Sequence, residues 1–283
     1  MTRRAIALTF LAAWFFTALL APILAPYPYA SLDLSSRLQG ASARHPLGTD
    51  DLGRDVLSRL LYGSRVSLAI VSLSLFLALT LGLASGIVSG YLGGATDALL
   101  GRVMEVLLAM PGILLAITIL AYVGRGFTPL VLALSATAWV GYGRVARSMT
   151  LSLKERDFVL ASKAMGASAG HTLLRHLVPH TAGVLAVQAA AGAAGLLLAE
   201  AGLSFLGLGV QPPHPSWGEM VSTGCDYLLE APHLALAPGA LLFFAVWALN
   251  SLGEALSERL DPASHNPIVR PGRWREASNK SGA

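Results

Sequence analysis

Charge is scarce in this 283-residue chain: Asp, Glu, Lys and Arg together make up 13% of it, against roughly 25% in an average soluble domain. A soluble surface needs more charge than that. Cysteine is nearly absent. Cys225 stands alone, so no internal disulfide can form and a stapled secreted fold is excluded. The dipeptide Gly-Lys occurs nowhere. The phosphate-cradling loop G-x-x-x-x-G-K-[ST] is therefore missing, and the chain cannot hold a nucleotide in that manner. H-E-x-x-H and C-x-x-C are missing too, and no catalytic cluster emerges. What is abundant is apolar: 54% of the residues. Disorder, collagen-like structure and coiled coil do not fit that balance. Membrane spans use roughly 20 apolar residues each, which leaves material here for five to seven.

The apolar residues fall in long runs. Met1-Thr2-Arg3-Arg4 precedes a run from Ala5 to about Ala25, closed by Pro22, Pro26 and Pro28. Its length and the lack of a small-x-small cleavage site favour an anchor over a cleaved signal. Residues 26–62 are polar and turn-rich, with four basic residues (Arg37, Arg44, Arg54, Arg59) and four acids (Asp33, Asp50, Asp51, Asp55). Further runs cover about 66–90, 98–123 (interrupted by Pro111-Gly112), 128–142, 181–206 and 234–252. The fourth is short and can extend to Arg144 and Arg147, whose stems snorkel. The expectation is an all-α polytopic membrane protein of six helices: a first span at 1–25, an outer segment at 26–65, a core of five helices at 66–256 and a hydrophilic tail at 257–283.

Lysine and arginine set the orientation. They gather at Arg3 and Arg4, in the 143–179 loop (Arg144, Arg147, Lys154, Arg156, Lys163, Arg175) and in the tail, while 207–232 has none. Both termini then face the cytoplasm. Membrane lipid is the expected surrounding; no nucleic-acid partner and no cofactor are expected. Small residues form ladders at Gly82, Gly86, Gly90 and Gly94, and at Ala182, Ala186, Ala190 and Ala193–Ala194. They allow close helix approach, either within this chain or against a partner. His176 and His180 share a helical face, yet no acid or cysteine accompanies them and Pro179 intervenes. Positioning at a bend explains them better than a metal.

The 143–179 loop carries the most pattern. Phe158, Leu160, Ala161, Ala164 and Met165 lie at helical spacing. Gly166 is placed to end that helix in a left-handed conformation. Thr172–Leu177 would make a second short helix, limited by Pro179. Two short helices with an apolar face flanked by charge suit insertion into a soluble partner's groove, or a position flat on the membrane.

The run Leu160-Ala161-Ser162-Lys163-Ala164-Met165-Gly166, with Pro179 downstream, resembles the E-A-A-x-x-x-G coupling loop of binding-protein-dependent ABC importer permeases. Leu160 stands where that family usually has Glu, and Ser162 where it has Ala; Asp157 or Glu155 could supply the missing acid. His45-Pro46-Leu47-Gly48-Thr49-Asp50-Asp51-Leu52-Gly53-Arg54-Asp55, Leu203-Ser204-Phe205-Leu206-Gly207-Leu208-Gly209-Val210-Gln211-Pro212-Pro213, Trp217-Gly218 and Asn250-Ser251-Leu252-Gly253-Glu254 through Leu260-Asp261-Pro262 resemble the dipeptide/oligopeptide/nickel permeases of the C type. The resemblance spans about residues 40–262.

It implies a type I ABC importer permease fold of the MetI-like kind, in the cytoplasmic (inner) membrane, and a transporter subunit rather than an enzyme. The implied partners are a homologous second permease, two cytoplasmic ATP-binding subunits and an extracytoplasmic solute-binding protein. The ATPase contacts would fall on Asp157, Leu160, Ala161, Ser162, Lys163, Ala164, Gly166 and Pro179. Glu200, Trp217 and Glu219 would line the pathway or meet the binding protein. Glu105 and Glu200 are the acids within or beside apolar runs, and such carboxylates are functional candidates. Peptides are favoured as cargo over nickel or another metal chelate. A secondary transporter working without ATP is the rival class, and the paired broken helices expected of one are not evident.

Overall fold

A computed structural model describes residues 2–260. The tail from Asp261, with Arg270, Arg273, Arg275, Lys280 and the Asp261-Pro262 exit, lies outside the described residues. Among the described residues the regular elements are helices, with one isolated bridge between Thr49 and Asp55. In order they form α1 (Thr2–Leu24), a 3₁₀ turn (Leu34–Ser36), α2 (Val56–Leu92), α3 (Gly94–Ala109), α4 (Gly112–Val123), α5 (Phe127–Leu153), α6 (Asp157–Ala164), α7 (Ala169–Thr172), a π turn (Leu173–Leu177), α8 (Val178–Phe205), α9 (Trp217–Asp226) and α10 (His233–Leu260).

Four helical stretches are long and apolar enough to cross a membrane: 3–24, 56–92, 169–205 and 233–258. The pair α3 and α4 would add a fifth; it bends by 93° at the Met110-Pro111 break, where a proline ring cannot follow the preceding turn. Helix α5 completes the expected six by length, at 27 residues. Arg144 and Arg147 dilute its apolarity, which explains why the run stops short in the sequence while the helix continues to Leu153.

Helix α2 starts at Val56, ten residues before the apolar run at 66. Asp55 caps it: its carboxylate accepts from the Ser58 backbone N–H at 2.8 Å and the Ser58 hydroxyl at 2.7 Å, the usual way to satisfy a helix's first free N–H groups. At the other end Gly93, at φ +67°, closes it.

The glycine ladder is the seam between α2 and α5. A Cβ at Gly82 would come within 2.6 Å of Tyr142 Cβ, and one at Gly90 within 2.8 Å of Thr150 Cβ. Gly86 is blocked in the same way by the Gly143 carbonyl. Gly82, Gly86 and Gly90 thus serve packing inside this chain, where dispersion over close backbones replaces the absent hydrophobic drive. Gly94 takes no part; nothing lies within 4 Å of it. Ala190, Ala193 and Ala194 are also buried. Helices α1 and α8 pack on α2, α10 packs on α1 and α8, and Trp14, Ile70, Leu120, Leu134, Leu197, Leu203 and Trp217 fill the centre.

Candidate functional site

The end of the bundle beyond Leu153 carries α6. Its first residue, Asp157, stands in the first turn, where a negative charge meets the positive helix end. Val159 is wholly buried and clusters with Leu153 and Leu177, over which Tyr91, Met149 and Leu173 pack. Removing side chains such as Val159 and Leu177 from water contributes about 1.5–3 kcal/mol each. Ser162, one turn on, is 5% exposed. This narrow stripe holds the helix to the bundle. Lys163 adds a tether, its Nζ 5.0 Å from the centre of the Tyr91 ring. Lys154 Nζ donates to the Gly90 carbonyl at 3.2 Å, a cation at the C-terminal end of α2.

The opposite face is open. Asp157, Leu160, Ala161, Ala164, Met165 and Gly166 are exposed there, Leu160 at 49% and Met165 at 83%; Lys163 is exposed too, but its ammonium reaches back to Tyr91. Leu174, on the following turn, is exposed as well. Gly166 has φ +84° and open space where a Cβ would go, so its role is conformational: L side chains rarely adopt that backbone. Ser162 is the correction to the sequence expectation. It points into the bundle and is withdrawn from the open face.

Pro179 is a second correction. The second short helix does not stop there; residues 169–205 run as one helical stretch. The π turn at Leu173–Leu177 resets the register, so that Pro179 falls within the first two positions of α8. The local π geometry directly before it accommodates a residue without an N–H inside a continuous helical stretch. His176 and His180 flank Phe158, with ring centroids 5.7 and 5.3 Å away. They help seat α6.

At the far end, of the residues predicted to meet a binding protein or line the pathway, Trp217 and Glu200 are buried and Glu219 is partly exposed. Trp217 is 1% exposed, stacked on Trp14 with centroids 5.0 Å apart; its indole N–H donates to the Leu60 carbonyl at 3.1 Å. Glu200 is fully buried. It accepts from the Ser204 hydroxyl at 2.9 Å and from Ser67 at 3.4 Å, so it ties α8 to α2. Glu219 accepts two hydrogen bonds from Arg59, at 2.9 and 3.2 Å, and Arg59 is 3% exposed. Arg59 Nε also lies 3.3 Å from Asp50, which Arg54 holds at 2.6 Å. The outer segment is thereby locked onto α2 and α9.

A fold of this kind is known. The solved "Inward facing conformations of the MetNI methionine ABC transporter" aligns at a TM-score of 0.51 and 18% identity, over 70% of this chain and 95% of that one, a likeness of fold. The family described as "Binding-protein-dependent transport system inner membrane component" matches residues 66–265. The chain belongs to that family.

Similar curated proteins are dipeptide, nickel and glutathione permeases. The dipeptide transport system permease protein DppC of Alkalihalophilus pseudofirmus is 38% identical over 245 residues, 87% of this chain and 81% of that protein. The nickel transport system permease protein NikC of Escherichia coli K12 is 39% identical over 241 residues, 84% and 86% of the two. The glutathione transport system permease protein GsiD of Escherichia coli O6 is 39% identical over 246 residues, 87% and 81%. The protein is thus a multi-pass inner-membrane ABC importer permease. Sequence reasoning did not pair Arg59 with Glu219, because 160 positions separate them and no periodicity links them. It also missed Val159, whose side chain lies between the apolar positions assigned to the docking face.

Proposed function

We propose that this permease moves di- or oligopeptides inward, driven by two separate ATP-binding subunits that grip α6, and that it works with a homologous permease and a solute-binding protein. The open face of α6 carries this reading. Val159 and Ser162 seat the helix, while Leu160, Ala161 and Ala164, with Met165 just beyond, present apolar surface to the outside. A groove on a soluble partner would cover it as helix-in-groove recognition does. Asp157 supplies the acid that the coupling loop otherwise lacks at Leu160. Because the anchor is small and rigid, movement of the partner would pass as a tilt of the helices behind it. Both termini face the cytoplasm, on the same side as α6. The working division is an anchor at 1–25, an outer segment at 26–65, a permease core at 66–256 and a tail at 257–283.

Peptide cargo is supported by the dipeptide and glutathione permeases among the relatives, glutathione being itself a tripeptide. The nickel permease, at 39% identity, supports the alternative. Uptake by proteoliposomes holding the complete complex separates them. ATP-dependent accumulation of a labelled dipeptide, with no accumulation of nickel, is the expected result. Accumulation of nickel alone overturns the peptide reading. Uptake that persists without the ATP-binding subunits overturns the coupling reading.

A further inference from the structure

Most of the outward surface of the spanning helices is apolar. Phe15, Phe16, Leu19 and Ile23 on α1 and Phe243 on α10 are exposed, as suits lipid. The surface between α3 and α5 differs. There a cavity of about 390 Å³ opens near the end that carries α6, lined by Met104, Leu108 and Ala109 together with Glu105, Arg144 and Arg147. It is an open groove: Met104 lies buried beneath it, while Leu108, Glu105 and Arg144 along it are exposed.

The charges are unequal. Arg147 is spoken for: its guanidinium donates to both carboxylate oxygens of Asp97, at 2.5 and 2.7 Å, and Ser89 donates to the same carboxylate. Asp97 and Ser89 thus hold Arg147 in place. Arg144, one turn away, is exposed and has neither a hydrogen bond nor an ion pair among the described residues. Glu105 has only a loose pairing with Arg102 at 3.4 Å, both side chains being largely in the open. Arg144 stands nine residues before the end of α5, where a long stem can carry the guanidinium to the polar edge of the membrane, open to an anionic group. Here it faces a cavity.

We propose that this cavity is a subsite for the transported peptide on its way into the cytoplasm: the peptide's terminal carboxylate lies on Arg144, and its apolar side chain rests on Met104 and Leu108. A guanidinium matches a carboxylate with two parallel hydrogen bonds. Glu105 at the rim suits the peptide's ammonium group and repels polyanions such as phosphate. No residue of the cavity belongs to α6 or to the outer ion pairs, so this is a separate site. It deepens the peptide reading and rests on it.

The test is maximal uptake by the complete reconstituted complex, with binding protein saturated either by a dipeptide or by the same dipeptide with its C-terminus amidated. The wild-type complex should move the free acid ~10-fold faster, the rate equivalent of one charge-assisted hydrogen bond. Arg144→Gln should bring the free acid down to the rate of the amide and leave the amide within about twofold. Arg144→Lys should restore part of the preference. Equal wild-type rates for acid and amide overturn the subsite while leaving the peptide reading standing, as does an Arg144→Gln effect that falls equally on both. Transport of neither form overturns the peptide reading and the subsite with it.

Discussion

The two ends of this molecule handle polar groups in opposite ways. At the outer end the charges are internal. Arg59 is closed in by Glu219 and Asp50, Arg54 by Asp50, and His45 Nδ1 sits 2.9 Å from Asp55. At the other end, α6 hangs from the bundle on Val159 and a lysine–tyrosine contact, with apolar side chains facing out. The first pattern resists deformation, because opening it would leave buried charges without partners. The second is an unfinished surface, which the ATP-binding subunit completes under the proposed coupling. A single chain thus has a rigid lock at one end and a handle at the other.

Breaking the lock should have the largest effect. Glu219→Lys leaves Arg59 buried against a like charge, and the purified permease should lose about 3–5 kcal/mol of stability. Because buried pairs are little screened, thermal denaturation at low and high salt should show the same loss. A salt-sensitive change would return Glu219 to the surface role that its position in the sequence suggested.

Next comes the hinge of the handle. Gly166→Val places a β-branched residue at φ +84°, a conformation costing an L residue about 1–2 kcal/mol or more. The complex should still assemble in the membrane and hydrolyse ATP, while uptake falls by ~10-fold. Normal binding-protein-stimulated uptake would show that the turn after α6 does not matter. A smaller loss is expected from Leu160→Ser on the open face: ATPase binding should weaken by about 1–2 kcal/mol as apolar burial is lost, measured by co-purification or titration, with the fold of the permease unchanged. Smallest is Lys163→Gln. Its contact with Tyr91 is worth about 0.5–1 kcal/mol, so amide hydrogen exchange in α6 should quicken slightly while that of α2 stays constant.

Much of this contrast was legible in the chain itself. Runs of apolar residues located the spans, glycines every four residues marked the α2–α5 seam, and Gly166 announced its turn. Pattern reading succeeds there because a helix repeats every few residues and the constraint is local. It failed where partners are remote. Trp217 and Glu219 look like polar-loop residues until Trp14, Leu60 and Arg59 arrive from helices far away in sequence. Glu200 stands out in the sequence as an acid in an apolar run, with no sign of the serines at 67, 204 and 216 that meet its carboxylate. On α6 the apolar spacing identified a face, but a short helix with apolar residues on two sides does not say which side is buried. Ser162 was assigned to the docking face for that reason. Pro179 was taken as a stop because a π turn leaves no mark in sequence.

The central claim is that one face of α6 is seated and the other is offered to the ATPase. Cysteine cross-linking tests it directly, since Cys225 is the sole native cysteine and Cys225→Ser supplies a clean background. In the assembled complex, Leu160→Cys and Ala164→Cys should cross-link to cysteines in the groove of the ATP-binding subunit, and Val159→Cys and Ser162→Cys should not. Equal cross-linking from both faces, or from Val159 and Ser162 alone, would contradict the account.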